Sequence, residues 1–375
     1  MHIMIVAPED LPIPPRRGGS VQIYSTHLCK AISQREDIQV TLVSPGVKAT
    51  PSYDQTDYNH ITLECSSSDQ YWTRVKRLID SLHPQVVQVE NRPKQTLQLR
   101  RMYPAKAMVL NLHSLTFLGP RHITSADARR VLSSVHAVVC NSLDLAKTVR
   151  ERIGLADRWQ PSVIYPGVTQ PFQKQGSTNI DKTPHDPFRL LFVGRVIRQK
   201  GVHIAIDAVK ILQRQLPVKL TIVGRTPPWE RVYRRQLVRA AANANVTFAG
   251  FLTPDRLVDM YAAHDILVCP SQKHEAFGLV NIEAMMNGLP VIASHLGGIP
   301  EAVGAEGGLL VHNFHNPSAF ARAIRSLQDR QTYQQYSRSA LKQAEKFTWT
   351  ASASQFIELY QSALNPAQEK KHTDI

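Results

Sequence analysis

The 375-residue sequence predicts an α/β protein made of two doubly wound parallel-sheet domains of the Rossmann-like type. Short β-branched runs alternate with helical patterns along the chain, which is typical of parallel sheets covered by helices. Each half opens with a strand that leads into a glycine-containing turn, and a polar segment separates the halves. A chain of this length also exceeds one ordinary hydrophobic core, which favours two domains.

The first half contains five apolar, β-branched runs with amphipathic stretches between them. The predicted strands are 2–7, 38–44, 85–90, 107–112 and 135–140, and helical patterns occupy 21–33 and 143–152. Because consecutive parallel strands need a crossover connection, this order favours a sheet with helices on both faces. Residues 1–175 are therefore interpreted as the N-terminal domain.

The second half repeats this pattern after a polar segment at 176–187, which is interpreted as a linker. Its predicted strands are 189–194, 218–223, 245–249, 265–269, 290–293 and 308–311. Residues 188–349 are interpreted as a second domain, and the last helical segment, about 350–363, can pack on either domain. Doubly wound domains bind ligands beyond the carboxyl ends of their strands, so we expect a ligand cleft between the two.

Composition indicates an ordinary globular protein, with 43% hydrophobic and 20% charged residues. No apolar run approaches the roughly 18 residues of a membrane span, and the chain opens on a strand-like run without a charged leader. The four cysteines are scattered, so neither a disulfide framework nor a metal site is expected. These features favour the reducing cytoplasm.

The net charge of +14 is spread evenly, with +7 in residues 1–175 and +7 in the remainder. Without a basic tail or a basic half, nucleic-acid binding is not favoured. Local basic clusters occur at 74–77, 100–101 and 129–130, and around Arg225 with arginines at 231, 234, 235 and 239. They are either solvated helix faces or sites of attraction to anions, and peripheral contact of the clusters at 74–77 and 129–130 with an anionic membrane is a hypothesis.

The most informative motif places Glu275 and Glu283 on either side of Phe277-Gly278-Leu279. It follows a strand-like run and precedes a helix start, where unpaired amides suit an anionic or hydroxyl-rich ligand. Glu275 is expected in the loop before the helix and Glu283 in its first turn, so the two carboxylates can contact different parts of one ligand. The alternative is a helix cap plus a surface charge.

Three further motifs are expected at the same ends of the predicted strands. Arg195 and Lys200 lie five positions apart on a glycine-flanked loop, and their cations can hold a diphosphate. Gly18 and Gly19 precede a helix, although they form neither a G-x-G-x-x-G nor a Walker A motif. His113 follows a strand and either bonds a substrate hydroxyl or is a satisfied polar group.

Together these motifs resemble the retaining family-4 glycosyltransferases of GT-B fold. The resemblance also includes Gly297-Gly298-x-Pro300-Glu301, the segment 163–168 at the crossover between domains and 347–349 at the start of the final helix. It covers residues 1 to about 363. Within the family, the segment 11–24 is similar to that of bacterial spore-coat-associated members.

The resemblance implies a nucleoside-diphosphate sugar donor, expected to be UDP-linked, bound by the second domain. The N-terminal domain would lie on the acceptor side. Its implied residue roles are ribose binding by Glu283; donor-sugar binding by Glu275, His113 and the backbone of Phe277, Gly278 and Leu279; diphosphate binding by Arg195, Lys200, Gly18 and Gly19; and base binding near Gly224 and Phe251. Arg225 departs from the family pattern, which puts the base contacts in doubt.

The predicted activity is therefore a cytoplasmic retaining glycosyl transfer, for example in polysaccharide biosynthesis, to a saccharide, lipid-linked or small-molecule acceptor. No DxD-like acidic pair occurs at a fitting position, so Arg195 and Lys200 are expected to replace Mg²⁺, with no metal or other cofactor. The alternatives are a sugar-nucleotide epimerase or phosphorylase, and a non-catalytic coat or scaffold protein of the same fold.

Overall fold

The computed structural model describes residues 1–13, 19–46, 58–157, 159–168 and 184–365. The chain forms two compact units. Unit 1 comprises Met1–Gly167 and Thr348–Ile375, and unit 2 comprises Val168–Phe347. The chain therefore leaves unit 1 once and returns to it for the last helix.

Unit 1 is built on a seven-stranded parallel sheet in the order β3-β2-β1-β4-β5-β6-β7. The strands are β1 His2–Val6, β2 Gln39–Gly46, β3 Asn59–Glu64, β4 Val86–Glu90, β5 Ala107–Leu112, β6 Ala137–Cys140 and β7 Ser162–Val163. The five predicted strands are confirmed. The other two were missed because β3 is a largely exposed edge strand and β7 has two residues.

The helices of unit 1 are α1 Ser20–Ile32, α2 Ser68–Leu82, α3 Pro93–Met102, α4 Ser125–Ser134, α5 Leu143–Ile153 and α13 Trp349–Leu364. Ser67, Thr124, Ser142 and Thr348 cap four of them by accepting a backbone N–H of the first turn. The sequence left the domain of the final helix open. The structure packs α13 against α1, and the buried hydroxyl of Tyr360 donates to Gln88 of β4 at 2.6 Å.

Unit 2 contains a six-stranded parallel sheet in the order β10-β9-β8-β11-β12-β13. Its strands are β8 Phe188–Val193, β9 Val218–Val223, β10 Val246–Gly250, β11 Ile266–Cys269, β12 Val291–Ser294 and β13 Gly308–Val311. Its helices are α6 Val202–Leu212, α7 Arg231–Ala241, α8 Pro254–Ala263, α9 Leu279–Met286, α10 Ile299–Val303, α11 Pro317–Ser326 and α12 Arg330–Ala344. All six predicted strands are present.

The units divide at a different point from the boundary expected from composition. The change from unit 1 to unit 2 falls between Gly167 and Val168, and the return falls between Phe347 and Thr348. Most of the interpreted linker, 176–187, lies outside the described residues. At its end, the backbone N–H of His185 donates to Oδ1 of buried Asp265 at 3.3 Å, and the His185 Nδ1 lies 2.7 Å from the same oxygen. These contacts tie this segment to the start of β11.

Both sheets are therefore doubly wound, as the sequence predicts. The strand order reverses between β1 and β4 in unit 1 and between β8 and β11 in unit 2. In this class of sheet, ligands bind beyond the carboxyl ends of the strands at such a reversal. No helix of the described chain is long and apolar enough to cross a bilayer.

Candidate functional site

The reversal point of unit 2 brings together two of the motifs found in the sequence. β8 ends at Val193 and leads into the loop that carries Arg195 and Lys200. β11 ends at Cys269 and leads into the loop that carries Glu275. Since β8 and β11 are neighbouring parallel strands, both loops leave the sheet at the same edge.

Lys200 and Glu275 form an ion pair between these two loops. The Lys200 ammonium donates to Oε2 of Glu275, and the Ser271 hydroxyl lies 3.4 Å from the same oxygen. Only 25% of the Lys200 side chain and 21% of the Glu275 side chain is exposed. Burial raises the pKa of the adjacent Cys269 thiol to about 11, so this cysteine is not a thiolate at neutral pH.

Backbone contacts through two glycines hold the loops in this position. A Cβ on Gly201 would lie 1.8 Å from the Pro270 carbonyl oxygen, and a Cβ on Gly297 would lie 2.2 Å from the Glu275 carbonyl oxygen. Both glycines have φ in the left-handed region, at 69° and 61°. Glycine at 201 therefore allows the Lys200 loop to approach Pro270, and glycine at 297 allows close approach to the Glu275 backbone.

Arg195 lies on the same loop as Lys200 but is in a different environment. It is exposed, and among the described residues no carboxylate pairs with it. The structure therefore places one predicted cation in a partly buried ion pair and the other at the surface. An exposed guanidinium can donate two hydrogen bonds to an anionic ligand, and no ion pair among the described residues has to break first.

Glu283 lies deeper in unit 2 than expected. Helix α9 begins at Leu279, which places Glu283 beyond the first turn, so the predicted first-turn position was wrong. Its Oε2 accepts a hydrogen bond of 2.8 Å from the Tyr261 hydroxyl of α8. Burial raises the pKa of Glu283, and the bond from Tyr261 opposes this rise.

Helix α9 begins directly after Gly278, where the motif predicts a helix start. Gly278 is the N-cap residue with φ 89°, and no side chain caps the helix. The ring of Phe277 is 2% exposed and packs edge-on against Phe347 with 5.4 Å between ring centres. Phe277 is therefore a core residue of unit 2 just before the start of α9.

The residues expected near a nucleobase also lie together. Strands β8, β9 and β10 each run into a glycine of positive φ, namely Gly194, Gly224 and Gly250. The amide of Gly224 donates to the Gly250 carbonyl at 2.7 Å, and a Cβ on Gly224 would lie 1.8 Å from the Gly194 carbonyl oxygen. The Arg225 guanidinium lies 5.3 Å from the ring centre of Phe251. Arg225, the residue that departs from the family pattern, therefore lies beside one of the two residues expected near the base.

In unit 1, His113 directly follows β5 and is nearly buried, with 9% of its side chain exposed. Its Nε2 lies 2.6 Å from Oε2 of Glu90, and its ring packs edge-on against Tyr24 at 4.5 Å. One ring nitrogen is therefore satisfied within unit 1. A direct contact of His113 with a substrate would use Nδ1 or displace Glu90. Gly19 is the N-cap residue of α1, whereas Gly18 lies outside the described residues.

Glu90 was missed in the sequence although it is central to this part of unit 1. Its fully buried carboxylate accepts from Gln88 Nε2 at 2.6 Å and from Asn111 Nδ2 at 3.1 Å, besides its contact with His113. A carboxylate at the end of an apolar strand was the available signal, because an ionisable group is rarely buried without partners.

A second missed group lies at the reversal point of unit 1. Arg92, which is 3% exposed, donates from Nε to Glu9 at 2.7 Å and pairs with Asp10. Its guanidinium also lies 3.9 Å from the ring centre of Phe117. Glu9 and Asp10 follow β1 while Arg92 follows β4, so the signal was again a set of charged residues directly after buried strands.

The chemistry available at these positions is anion and hydroxyl binding. Unit 2 offers two cations, the amides of a helix start and two carboxylates at one edge of its sheet, an arrangement that suits a phosphorylated, hydroxyl-rich ligand. Within the described residues no group of three or more histidine, cysteine or acidic side chains could hold a metal ion.

Two family models match this chain and account for both units. The model described as Glycosyltransferase Family 4 matches residues 18–170, and the model described as Glycosyl transferases group 1 matches residues 174–348. These two matches show that the chain is a glycosyltransferase. The chain belongs to the family-4-like glycosyltransferases of GT-B fold, as the sequence motifs predicted.

Characterised relatives agree with this family. The chain is 28% identical to Spore coat protein SA of Bacillus subtilis (strain 168), over 96% of this chain and 99% of that protein. It is 33% identical to the D-inositol 3-phosphate glycosyltransferase of Acidothermus cellulolyticus, over 66% of this chain and 57% of that protein. The predicted similarity to spore-coat-associated members is thus present at the level of sequence.

Solved structures show the same fold at lower identity. Sucrose-phosphate synthase from Thermosynechococcus elongatus matches with a TM-score of 0.81 and 21% identity, covering 98% of this chain and 100% of that chain. The Anabaena protein HepE in complex with UDP-glucose matches with a TM-score of 0.73 and 21% identity, covering 96% of this chain and 99% of that chain.

Proposed function

We propose that this protein is a retaining glycosyltransferase that moves a sugar from a nucleoside-diphosphate donor, with UDP as the nucleotide, to an acceptor hydroxyl without a metal ion. The observation that carries this proposal is the Lys200–Glu275 ion pair at the reversal point of unit 2. Arg195 on the same loop and Glu283 on the following helix supply the remaining groups that a nucleotide sugar requires. The UDP and UDP-glucose complexes of HepE support the choice of nucleotide.

Each of these groups matches one part of the donor. Lys200 and Arg195 bind the diphosphate, since both carry a positive charge beyond the end of β8. The amides of Phe277, Gly278 and Leu279 and the Glu275 carboxylate bind the sugar hydroxyls. Glu283 accepts from the ribose diol, and the base lies at Gly224 and Phe251.

In the proposed reaction, the new bond at the anomeric carbon forms on the same face of the sugar ring as the bond that breaks. The bond from this carbon to the diphosphate oxygen breaks, and the bond to the acceptor oxygen forms. The acceptor proton passes to the leaving phosphate oxygen. Negative charge grows on the diphosphate as the bond breaks, and fixed cations that face this charge lower the barrier. The ion pair with Glu275 fixes the position of the Lys200 ammonium before the donor binds.

Metal independence follows from the same charges. The two cations neutralise the diphosphate in the way that Mg²⁺ does in metal-dependent transferases. Activity should therefore persist in excess EDTA. Loss of activity that Mg²⁺ or Mn²⁺ restores would contradict this part of the proposal.

We assign the acceptor to unit 1, where His113 and the group formed by Glu9, Asp10 and Arg92 offer polar contacts at the strand ends. The acceptor is a saccharide, a lipid-linked molecule or a small molecule, and the reaction is placed in the cytoplasm. His113 would contact the donor sugar near the reacting carbon.

The first experiment is a thermal-shift screen with a panel of nucleotide sugars and free nucleotides, because a ligand that binds only the folded state raises the unfolding temperature. Stabilisation by UDP and its sugars over the ADP and GDP series is the expected result. Product analysis by NMR then tests retention of the anomeric configuration. An epimerised donor without acceptor, or a sugar phosphate formed with inorganic phosphate, would favour an epimerase or phosphorylase, and calorimetry without any nucleotide binding would favour a scaffold protein.

A further inference from the structure

Helix α7 of unit 2 presents an unusual exposed surface. Of the six large hydrophobic side chains that are exposed in the described chain, three lie on or beside this helix. Trp229, just before the helix, is 76% exposed, Val232 is 59% exposed and Val238 is 49% exposed. Large apolar groups gathered at a surface are typical of an interaction site.

Three arginines share this surface. Arg231, Arg235 and Arg239 lie four residues apart and are exposed, so they form a stripe along one side of α7. Tyr233 and Leu237 on the other side are buried in the core of unit 2. Val232 and Val238 flank the arginine stripe at helical spacing, so that cationic and apolar side chains share the outer face.

The charge on this face is not neutralised by the protein. No aspartate or glutamate occurs in the sequence from Arg231 to Pro254. Glu230, at the start of the helix, accepts a hydrogen bond from the Arg198 amide at 3.3 Å. Within the described part of the chain, none of the three arginines of the stripe makes an ion pair.

Two of the other basic clusters, at 100–101 and 129–130, differ in this respect. Arg101 and Arg130 both pair with Asp127, at 3.4 Å and 3.2 Å. Arg129 donates from Nε to the carbonyl of Ile153 at 2.8 Å. The arginines at 100–101 and 129–130 therefore have hydrogen-bond or ion-pair partners within unit 1. The three arginines of the α7 stripe have no ion pair among the described residues.

We propose that α7 and Trp229 form a surface that docks on a bilayer containing anionic lipids. The arginines attract the lipid phosphates, their aliphatic stems and the two valines enter the headgroup region, and Trp229 lies at the level where indole rings partition best. A helix of eleven residues lying flat presents about 16 Å of such a surface. Binding of this kind does not depend on the catalytic proposal and would hold for a protein with any donor.

Lipid is favoured over nucleic acid because of the apolar groups. Phosphate binding alone would explain the arginines, but a nucleic-acid backbone gains little from two exposed valines beside them. An interfacial helix needs both kinds of residue on one face. The proposed partner is therefore a membrane surface with net negative charge.

The test uses the full-length protein and vesicle sedimentation, with vesicles of phosphatidylcholine alone and of equal parts phosphatidylcholine and phosphatidylglycerol. Binding is expected to the anionic vesicles only and to weaken with salt. The triple variant Arg231→Gln, Arg235→Gln, Arg239→Gln should lower the partition coefficient about a hundredfold, since each basic residue near such a surface contributes about fivefold. Trp229→Ala should lower it about tenfold.

A charge-matched variant of unit 1, Arg74→Gln, Arg77→Gln, Arg130→Gln, is the control and should bind like the wild type. In addition, quenching of tryptophan fluorescence by brominated lipid should disappear in Trp229→Phe while sedimentation is largely kept. Equal unfolding temperatures of all variants establish that they are folded. The proposal is overturned if the α7 variant binds as well as the wild type, if only the unit 1 variant loses binding, or if these arginines bind single-stranded DNA while the protein ignores anionic vesicles.

Discussion

Lys200 and Glu275 are joined by an ion pair although they lie 75 positions apart in the sequence. The pair links the loops that follow β8 and β11, the two strands between which the sheet of unit 2 reverses its order. In the proposed function, the cation that binds the diphosphate is thus paired with the acid that binds the donor sugar. This arrangement leads to the first prediction.

Replacing Lys200 by alanine should lower kcat and leave the affinity for the donor less affected. The charge that faces the leaving diphosphate is lost, and one such contact is worth on the order of 2–4 kcal/mol, or about 30- to 1000-fold in rate. Initial-rate kinetics with the identified donor measure the effect. Lys210→Ala removes a lysine that pairs with Asp207 at 3.2 Å on α6 and should leave kcat unchanged. Full turnover by the Lys200 variant would remove this residue from the mechanism.

Replacing Glu283 by glutamine should raise the stability of the protein while weakening its binding of the nucleotide. Burial raises the pKa of this carboxyl in the folded protein, so its contribution to the free energy of unfolding falls as pH rises from the unfolded pKa through the folded one. At neutral pH, which lies above the unfolded pKa, this carboxyl is therefore destabilising. Glu283→Gln keeps an acceptor for the Tyr261 hydroxyl and should raise the unfolding temperature by about 2 °C.

The same variant should weaken nucleotide binding, since an amide is a poorer acceptor for a ribose diol than a carboxylate. Glu283→Ala should weaken it further. Calorimetry with UDP and thermal unfolding at several pH values measure both effects, and the stability gain should shrink as the pH is lowered. A Gln variant that is less stable at neutral pH, with unchanged affinity for UDP, would contradict the assignment.

Gly201 should be far less replaceable than Gly250, although both have similar positive φ of 69° and 74°. Alanine at either position adds backbone strain of about 1 kcal/mol. At Gly201 the new Cβ would also lie 1.8 Å from the Pro270 carbonyl oxygen, whereas at Gly250 nothing lies within 4 Å. Gly201→Ala should therefore displace the Lys200 loop and reduce both stability and kcat.

Urea unfolding of the two variants gives the comparison, with an expected excess loss of about 2 kcal/mol or more for Gly201→Ala. Gly250→Ala serves as the control for backbone strain. Equal losses would show that the contact with Pro270 is relaxed at little cost.

Tyr360→Phe should weaken the attachment of α13 to unit 1. The Tyr360 hydroxyl donates to Gln88, which in turn donates to the buried carboxylate of Glu90. Its removal leaves a buried acceptor without its donor, at a cost of about 1–3 kcal/mol. Urea unfolding measures the loss. Tyr336→Phe on the partly buried side of α12 is the matched control and should change stability by less than about 0.5 kcal/mol. Equal small effects would mean that the network adjusts without Tyr360.

The arrangement of strands could be predicted largely from the sequence. All six strands of unit 2 and five of the seven in unit 1 were found, because most of them are buried and form apolar, β-branched runs. The exposed edge strand β3 and the short β7 carry no such signal. The sequence also predicted the glycines at strand ends and the motif from Glu275 to Glu283. A left-handed turn and a helix start each restrict which residues can occur at single positions.

The partners of the site residues could not be predicted in this way. Nothing local indicates that Lys200 pairs with Glu275, that Tyr261 bonds Glu283 or that Glu90 bonds His113. The first and last of these depend on which strands are neighbours, and the second depends on how α8 lies against α9. The final helix is the same kind of case, because its pattern shows that one face is buried but not which unit buries it.

The sequence by itself therefore determined the class of fold, the family and the residue types at the ends of the central strands. Only the tertiary structure decided which charges meet and how deeply Glu283 lies. It also decided that Arg101 and Arg130 pair with Asp127, while the arginine stripe of α7 has no ion pair among the described residues. The physical reason is that periodicity and turn chemistry act over a few residues, whereas ion pairing and burial depend on side chains brought together by the order of the strands.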